Sequence, residues 1–104
     1  MDLYTKTIQW LKKKDTEKFL ADIPDHTITS WLLQKILNQR YGENGVLIDP
    51  EHQVIVNMTY ENISKDLHLQ DSTMSDHDIE EVYRGIADGL NLHMQKAYQL
   101  RGLL

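Results

Sequence analysis

The sequence predicts a mainly α fold of the α+β kind, one domain over residues 1–104 with four to five helices and one β-hairpin. Three observations carry that prediction. Apolar residues recur at three- and four-residue steps in 3–13, 27–40 and 75–101. From residue 15 onward each helical stretch opens on Asp, Thr or Ser, whose side chains cap helix starts. Between them, two short apolar runs flank "DPEH", a natural turn.

The elements follow in order. The first helix covers 3–13, with Leu3, Tyr4, Ile8 and Leu11 on one side and Trp10 beside them. Asp15 caps a short second helix, "TEKFLADI", which Pro24 ends. Thr27 caps a third, running through Arg40, with Ile28, Trp31, Leu32, Ile36 and Leu37 as its apolar set and Gly42 as a left-handed stop. "GENG" is a turn. Residues 46–48 and 53–58 then read as the two strands of a hairpin closed by residues 49–52. Leu47, Ile48, Val54, Ile55 and Val56 make both strand faces apolar, so helices should cover them.

Thr59 caps a fourth helix that carries Ile63 and Leu67 inward, and "HLQDSTM" turns the chain. Ser75 opens one long last helix reaching about Arg101, with Ile79, Val82, Tyr83, Ile86, Leu90, Met94, Ala97 and Leu100 on its inner stripe. Two of these starts share a pattern: "NMTYENI" at 57–63 and "TMSDHDI" at 73–79. In the second, Ser75 and Asp78 form a capping box, and Met74 and Ile79 a hydrophobic staple. In the first, Thr59, Asn62, Met58 and Ile63 take the same parts. Gly85 and Gly89, four apart, leave a smooth patch that admits another helix closely, in this chain or in a symmetric homodimer. The terminal leucines tuck into the core.

Composition narrows the function. No run approaches the roughly 18 apolar residues of a membrane span, and the start of the chain lacks a secretory h-region. Cysteine is absent, which removes disulfides and thiol chemistry and fits a cytoplasmic location. The net charge of −5 is local: between Asp71 and Asp88 stand six acids and one base, while the other 86 residues balance ten against ten. "KKK" at 12–14 suits the negative pole of a helix end.

The stretch "VLIDPEHQVIVNMTYENISKDLHL" resembles the middle of the winged-helix modules of plasmid and phage replication initiators. There a hairpin leads to a helix reading "YT-x-E-x-I-x-x-x-L", matched here by Thr59, Glu61, Ile63 and Leu67, and then to a recognition helix. "IADGLNL", 86–92, resembles the end of that recognition helix. Over residues 30–92 the resemblance implies a helix-turn-helix or winged-helix centre and DNA binding. Two features depart from it: His68 stands where such modules carry a turn glycine, and the turn is long.

Charge argues against DNA. The outer positions of the last helix are Asp76, His77, Glu80, Glu81, Arg84 and Asp88, and a duplex repels such a face. The expected function is therefore that of a small acidic regulatory or adaptor protein, of the kind found on phages and mobile elements, with no enzymatic activity and no cofactor. It binds a protein partner through His77, Glu80, Glu81, Arg84 and Asp88. The alternative is a DNA-binding regulator or replication protein that uses Lys6, Lys12, Lys13 and Lys14 for backbone contacts. A small metal-binding protein or enzyme is the second alternative, but the five histidines show no HExxH and no i,i+4 pair, and no nucleophile motif occurs.

Overall fold

The computed structural model describes residues 2–41, 49–69 and 73–103. Among them the chain forms five α-helices: α1 (Leu3–Lys12), α2 (Thr16–Phe19), α3 (Asp25–Tyr41), α4 (Pro50–Asp66) and α5 (Asp76–Leu100). The described residues contain no strand and are all-α.

Each start has an identifiable cause. Asp2 accepts the Thr5 amide at 2.7 Å, and Asp15 the Lys18 amide at 3.1 Å. The Asp2 carboxyl is held below its ordinary pKa, chiefly by that backbone bond. At α3 the Pro24 carbonyl accepts the Ile28 amide at 3.3 Å, so Pro24 begins this helix, whereas α2 has already ended at Phe19. Thr27 is thus not the cap the sequence suggests. It is the third residue of α3, buried within the first turn, and donates to Glu51 of α4 at 3.1 Å. Ser75 caps α5 as expected, and the Ser75–Asp78 capping box is complete in both directions.

The predicted hairpin is corrected. Its first strand, 46–48, lies outside the described residues, as does the Gly42 stop. Its second strand, 53–58, is the first half of α4. Asp49 and Pro50 do not close a turn there. Asp49 is an N-cap, accepting the Glu51 amide at 2.8 Å, and Pro50 occupies the first helical position, where its fixed φ and missing N–H are harmless. With the helix already running, Thr59 cannot cap it. Thr59 is buried in mid-helix, and its hydroxyl donates to the Ile55 carbonyl at 2.8 Å. The winged-helix centre falls with the hairpin, since the wing's second strand is helical.

The core is organised around α5. Val82, Ile86, Leu90, Met94 and Ala97 are fully buried along it, with Leu11 of α1, Leu20, Ile28 of α3 and Ile63 of α4 against them. Burying each such large aliphatic chain contributes roughly 1.5–3 kcal/mol over leaving it in water. Helix α1 runs parallel to α5, Tyr4 meeting Asp88 and the Leu11 carbonyl meeting His93. The two helices touch at the glycine patch. A Cβ on Gly85 would stand 2.8 Å from that of Thr7, and one on Gly89 would fall inside the Leu11 side chain. The patch therefore admits a helix as expected, but that helix is α1, which removes this side as a homodimer surface.

Residues that the sequence placed inward do not all arrive there. Ile36, assigned to the α3 core stripe, is 58% exposed, and Leu100 at the end of α5 is equally so. Leu103 is half-buried, and Leu104 lies outside the described residues. Arg101 locks the end of α5 to the α2–α3 connection, donating to the carbonyls of Ile23 and Leu20 at 2.9 and 3.0 Å and pairing with Asp25 at 2.9 Å.

Candidate functional site

Helix α5 buries one side and presents the other. The five expected partner-binding residues fall within about 100° of its circumference, as positions 77, 80, 81, 84 and 88 must at ~100° per residue. The structure does bring them together. Glu80 accepts from Arg84 at 3.2 Å, and His77 Nε2 stands 3.1 Å from Glu81. The side chains of His77, Glu80 and Arg84 are 77%, 67% and 64% exposed, while Glu81 is half-covered at 23%. Asp88 accepts the Tyr4 hydroxyl at 2.6 Å, and that bond pushes the phenol pKa up. The acids are thus held in place by neighbours at i,i+4 and by α1, and the stripe holds three carboxylates and one guanidinium.

Beside this face, sharing Asp88, a cleft of about 520 Å³ opens between α3, α4 and α5. Sequence reasoning missed it, because it requires α4 to be a helix. Its walls carry Gln34 and Asn38 from α3, Asp49 and Gln53 from α4, and Asn91 from α5. Trp31 lies at its base, its indole N–H donating to Asn91 Oδ1. A second groove, of about 470 Å³, runs between α3 and the end of α5 and is lined by Leu32, Leu33, Ile36 and Tyr98.

The buried histidines are structural. His93 is 7% exposed; its Nε2–H donates to the Leu11 carbonyl at 2.7 Å and its Nδ1 meets the Thr16 hydroxyl at 2.9 Å. Both ring nitrogens are therefore occupied, joining α1, α2 and α5. His52 packs on Trp31 with ring centres 5.1 Å apart, and its Nε2 lies 2.8 Å from Ser30 Oγ and 3.9 Å from Asp49. Serine, histidine and aspartate are all present, but not as a catalytic triad. A triad uses both ring nitrogens, whereas here serine and aspartate face the same one. The Ser30 hydroxyl also reaches the Thr27 carbonyl at 3.2 Å, so its proton is engaged there, and of the pair it is His52 that lines the cleft, with Trp31 and Gln34.

The lysines of the DNA alternative form no shared site with the cleft. Lys6, Lys12 and Lys13 are exposed on α1 and its end, and the Lys14 ammonium sits 4.2 Å over the Trp10 ring. Among the described residues, no group of three or more His, Asp or Glu could hold a metal ion, and no helix is long and apolar enough to cross a membrane. No protein-family model matches the chain, and neither the curated proteins nor the solved structures gave a match.

Proposed function

We propose that the chain is a non-catalytic cytoplasmic protein of the regulatory or adaptor kind, and that a partner protein docks on the outer face of α5. The observation that carries this reading is the internally braced stripe of His77, Glu80, Glu81, Arg84 and Asp88, exposed except at Glu81, on a helix whose opposite side is fully buried. Such a face gives a partner a rigid charge pattern with little side-chain entropy left to lose. The partner surface is basic. It includes surfaces that normally meet phosphates, which carboxylates at these spacings would imitate. Catalysis receives no support: His52 lines the cleft, but Ser30 and Asp49 face the same ring nitrogen and the Ser30 proton is engaged by the Thr27 carbonyl.

The test is capture of a partner from a lysate of the source organism, followed by measurement with the isolated pair. The α5-face reading expects binding that falls steeply with salt, survives Lys12/Lys13/Lys14→Glu, and drops at least about tenfold in Glu80→Lys/Glu81→Lys. Salt-sensitive duplex DNA binding that is lost in the triple lysine variant overturns it.

A further inference from the structure

We infer that the cleft between α3 and α4 receives an extended, basic segment of the partner polypeptide, an inference that rests on the protein-partner reading above. The chemistry of the walls points to a main chain. Five carboxamides line the cleft: Gln34, Asn38 and Gln39 on α3, Gln53 on α4 and Asn91 on α5. A carboxamide offers an N–H donor and a C=O acceptor, the same pair that a peptide group offers, so each can match the backbone of a bound chain.

Two of the five are already oriented. Indole N–H can only donate, so Asn91 turns Oδ1 to Trp31 and its NH₂ remains for a ligand. Gln53 uses Nε2 on Asn57 at 3.0 Å, leaving its oxygen as an acceptor. The α5 side therefore contributes a donor to the cleft lining and the α4 side an acceptor. The spacing on α3 fits as well. Gln34 and Asn38 are four residues apart on one helix, about 6 Å along its axis. An extended chain repeats its outward groups every two residues, about 6.6–6.8 Å. Neighbouring amides on α3 thus meet every second peptide group of such a chain.

Charge selects the side chains. Asp49 and Asp88 line the cleft with one ammonium, Lys35, and His52. Asp49 Oδ1 caps α4 and its Oδ2 lies 3.9 Å from His52, whereas Asp88 has given only Oδ2 to Tyr4 and is the carboxylate open to a bound cation. The adjoining α5 face adds Glu80 and Glu81. The lining also includes Val56 and Ala87, which suit the methylene stem of a Lys or Arg whose head reaches a carboxylate. The cleft volume of about 520 Å³ falls inside the ~300–1,000 Å³ range of ligand-binding clefts.

The experiment uses the full chain and blocked, fluorescein-labelled octapeptides. One series has Arg or Lys at alternate positions with the others varied, and a matched series has Glu at those positions. Fluorescence anisotropy should show the best basic peptides binding at least about tenfold tighter than any Glu peptide. Gln34→Ala/Asn38→Ala and, separately, Asp88→Asn should each weaken them about tenfold, a change worth ~1.4 kcal/mol. Asparagine at 88 keeps an acceptor for Tyr4, and unchanged melting temperatures verify that the variants fold. Equal binding of both series, or binding untouched by the cleft variants, overturns the inference. If peptide binding is lost only in Glu80→Lys/Glu81→Lys, the α5-face reading stands and the cleft does not. If free arginine competes as well as the octapeptide, the cleft is a small-molecule site and the inference also fails. Persistence of both peptide and partner binding in Glu80→Lys/Glu81→Lys leaves the cleft standing and removes the α5 face.

Discussion

Residues 57–63 and 73–79 carry one pattern and meet opposite fates. Each has Met, then Thr or Ser, two free positions, Asn or Asp, and Ile. At the second copy the chain arrives extended, with Ser75 at φ −73°, ψ 163°, and the hydroxyl caps α5. At the first copy a helix is already under way from Asp49 and Pro50, so the Thr59 hydroxyl turns back onto Ile55. A capping residue caps only where the preceding backbone is free to be non-helical. The charge differs too. The second copy opens the acidic face of α5, while the outer side of α4 shows Val54 and Met58, 55% and 59% exposed.

The largest difference should come from the isoleucines. Ile63 is fully buried and Ile79 only half-buried. Ile63→Ala should lower unfolding free energy by roughly 2–5 kcal/mol, and Ile79→Ala by clearly less. Urea midpoints at constant m-value measure both. Equal losses would mean that the two copies pack alike.

The hydroxyls come next. Ser75→Ala removes a cap and should cost about 0.5–2 kcal/mol. Thr59→Val removes a bond to a carbonyl that lies within the helix ladder, keeps the buried shape, and should cost about 0.5 kcal/mol or less. A larger loss at Thr59 than at Ser75 would restore Thr59 as a helix start.

The ends of α4 and α5 extend the comparison with a smaller effect of opposite sign. Both close on the same hydrogen-bond pair. Leu69 and Leu103 amides reach the Ser64 and Tyr98 carbonyls at 2.9 and 3.1 Å, and His68 and Gly102 reach those of Lys65 and Gln99 at 3.4 and 3.2 Å. The left-handed position is Gly102 at φ 65° in α5 but His68 at φ 54° in α4. His68 therefore does the work of the turn glycine whose absence the sequence makes conspicuous. His68→Gly should stabilise the protein by about 0.5–1 kcal/mol, read as a higher melting temperature.

The gentlest effect concerns the face that only the second copy carries. The Tyr4 phenol is held above its ordinary pKa of about 10 by Asp88. A folded-state pKa raised above the unfolded value adds stability below the unfolded value and loses it as pH rises through the folded one. Ultraviolet titration should show a late tyrosine step that Tyr4→Phe removes.

Much of this fold is legible in the sequence. The inner stripe of α5, the Ser75 box and the glycine patch are all visible there, because each is a local pattern of spacing or capping. Helix α4 is not. Val54, Ile55 and Val56 are β-branched and favour strands when read alone. Asp–Pro serves equally as a turn or as an N-cap with its first helical residue. The helical signal is present, since His52, Ile55, Val56, Thr59, Tyr60, Ile63 and Leu67 all turn inward at three- and four-residue steps. Two of its members are polar, and an apolar count passes over them. His52 is buried because Ser30 and Trp31 receive it, a partnership between helices that local pattern does not encode. The cleft is hidden for the same reason, since one of its three walls is α4.

Both the comparison of the two copies and the cleft rest on α4 running as one helix from Pro50. The direct measurement is the backbone Cα and Cβ chemical shifts of residues 50–66 by nuclear magnetic resonance. An unbroken run of helical secondary shifts through Val54, Ile55 and Val56 is the predicted result. Extended shifts at 53–58, with helical values beginning only at Thr59, would contradict it.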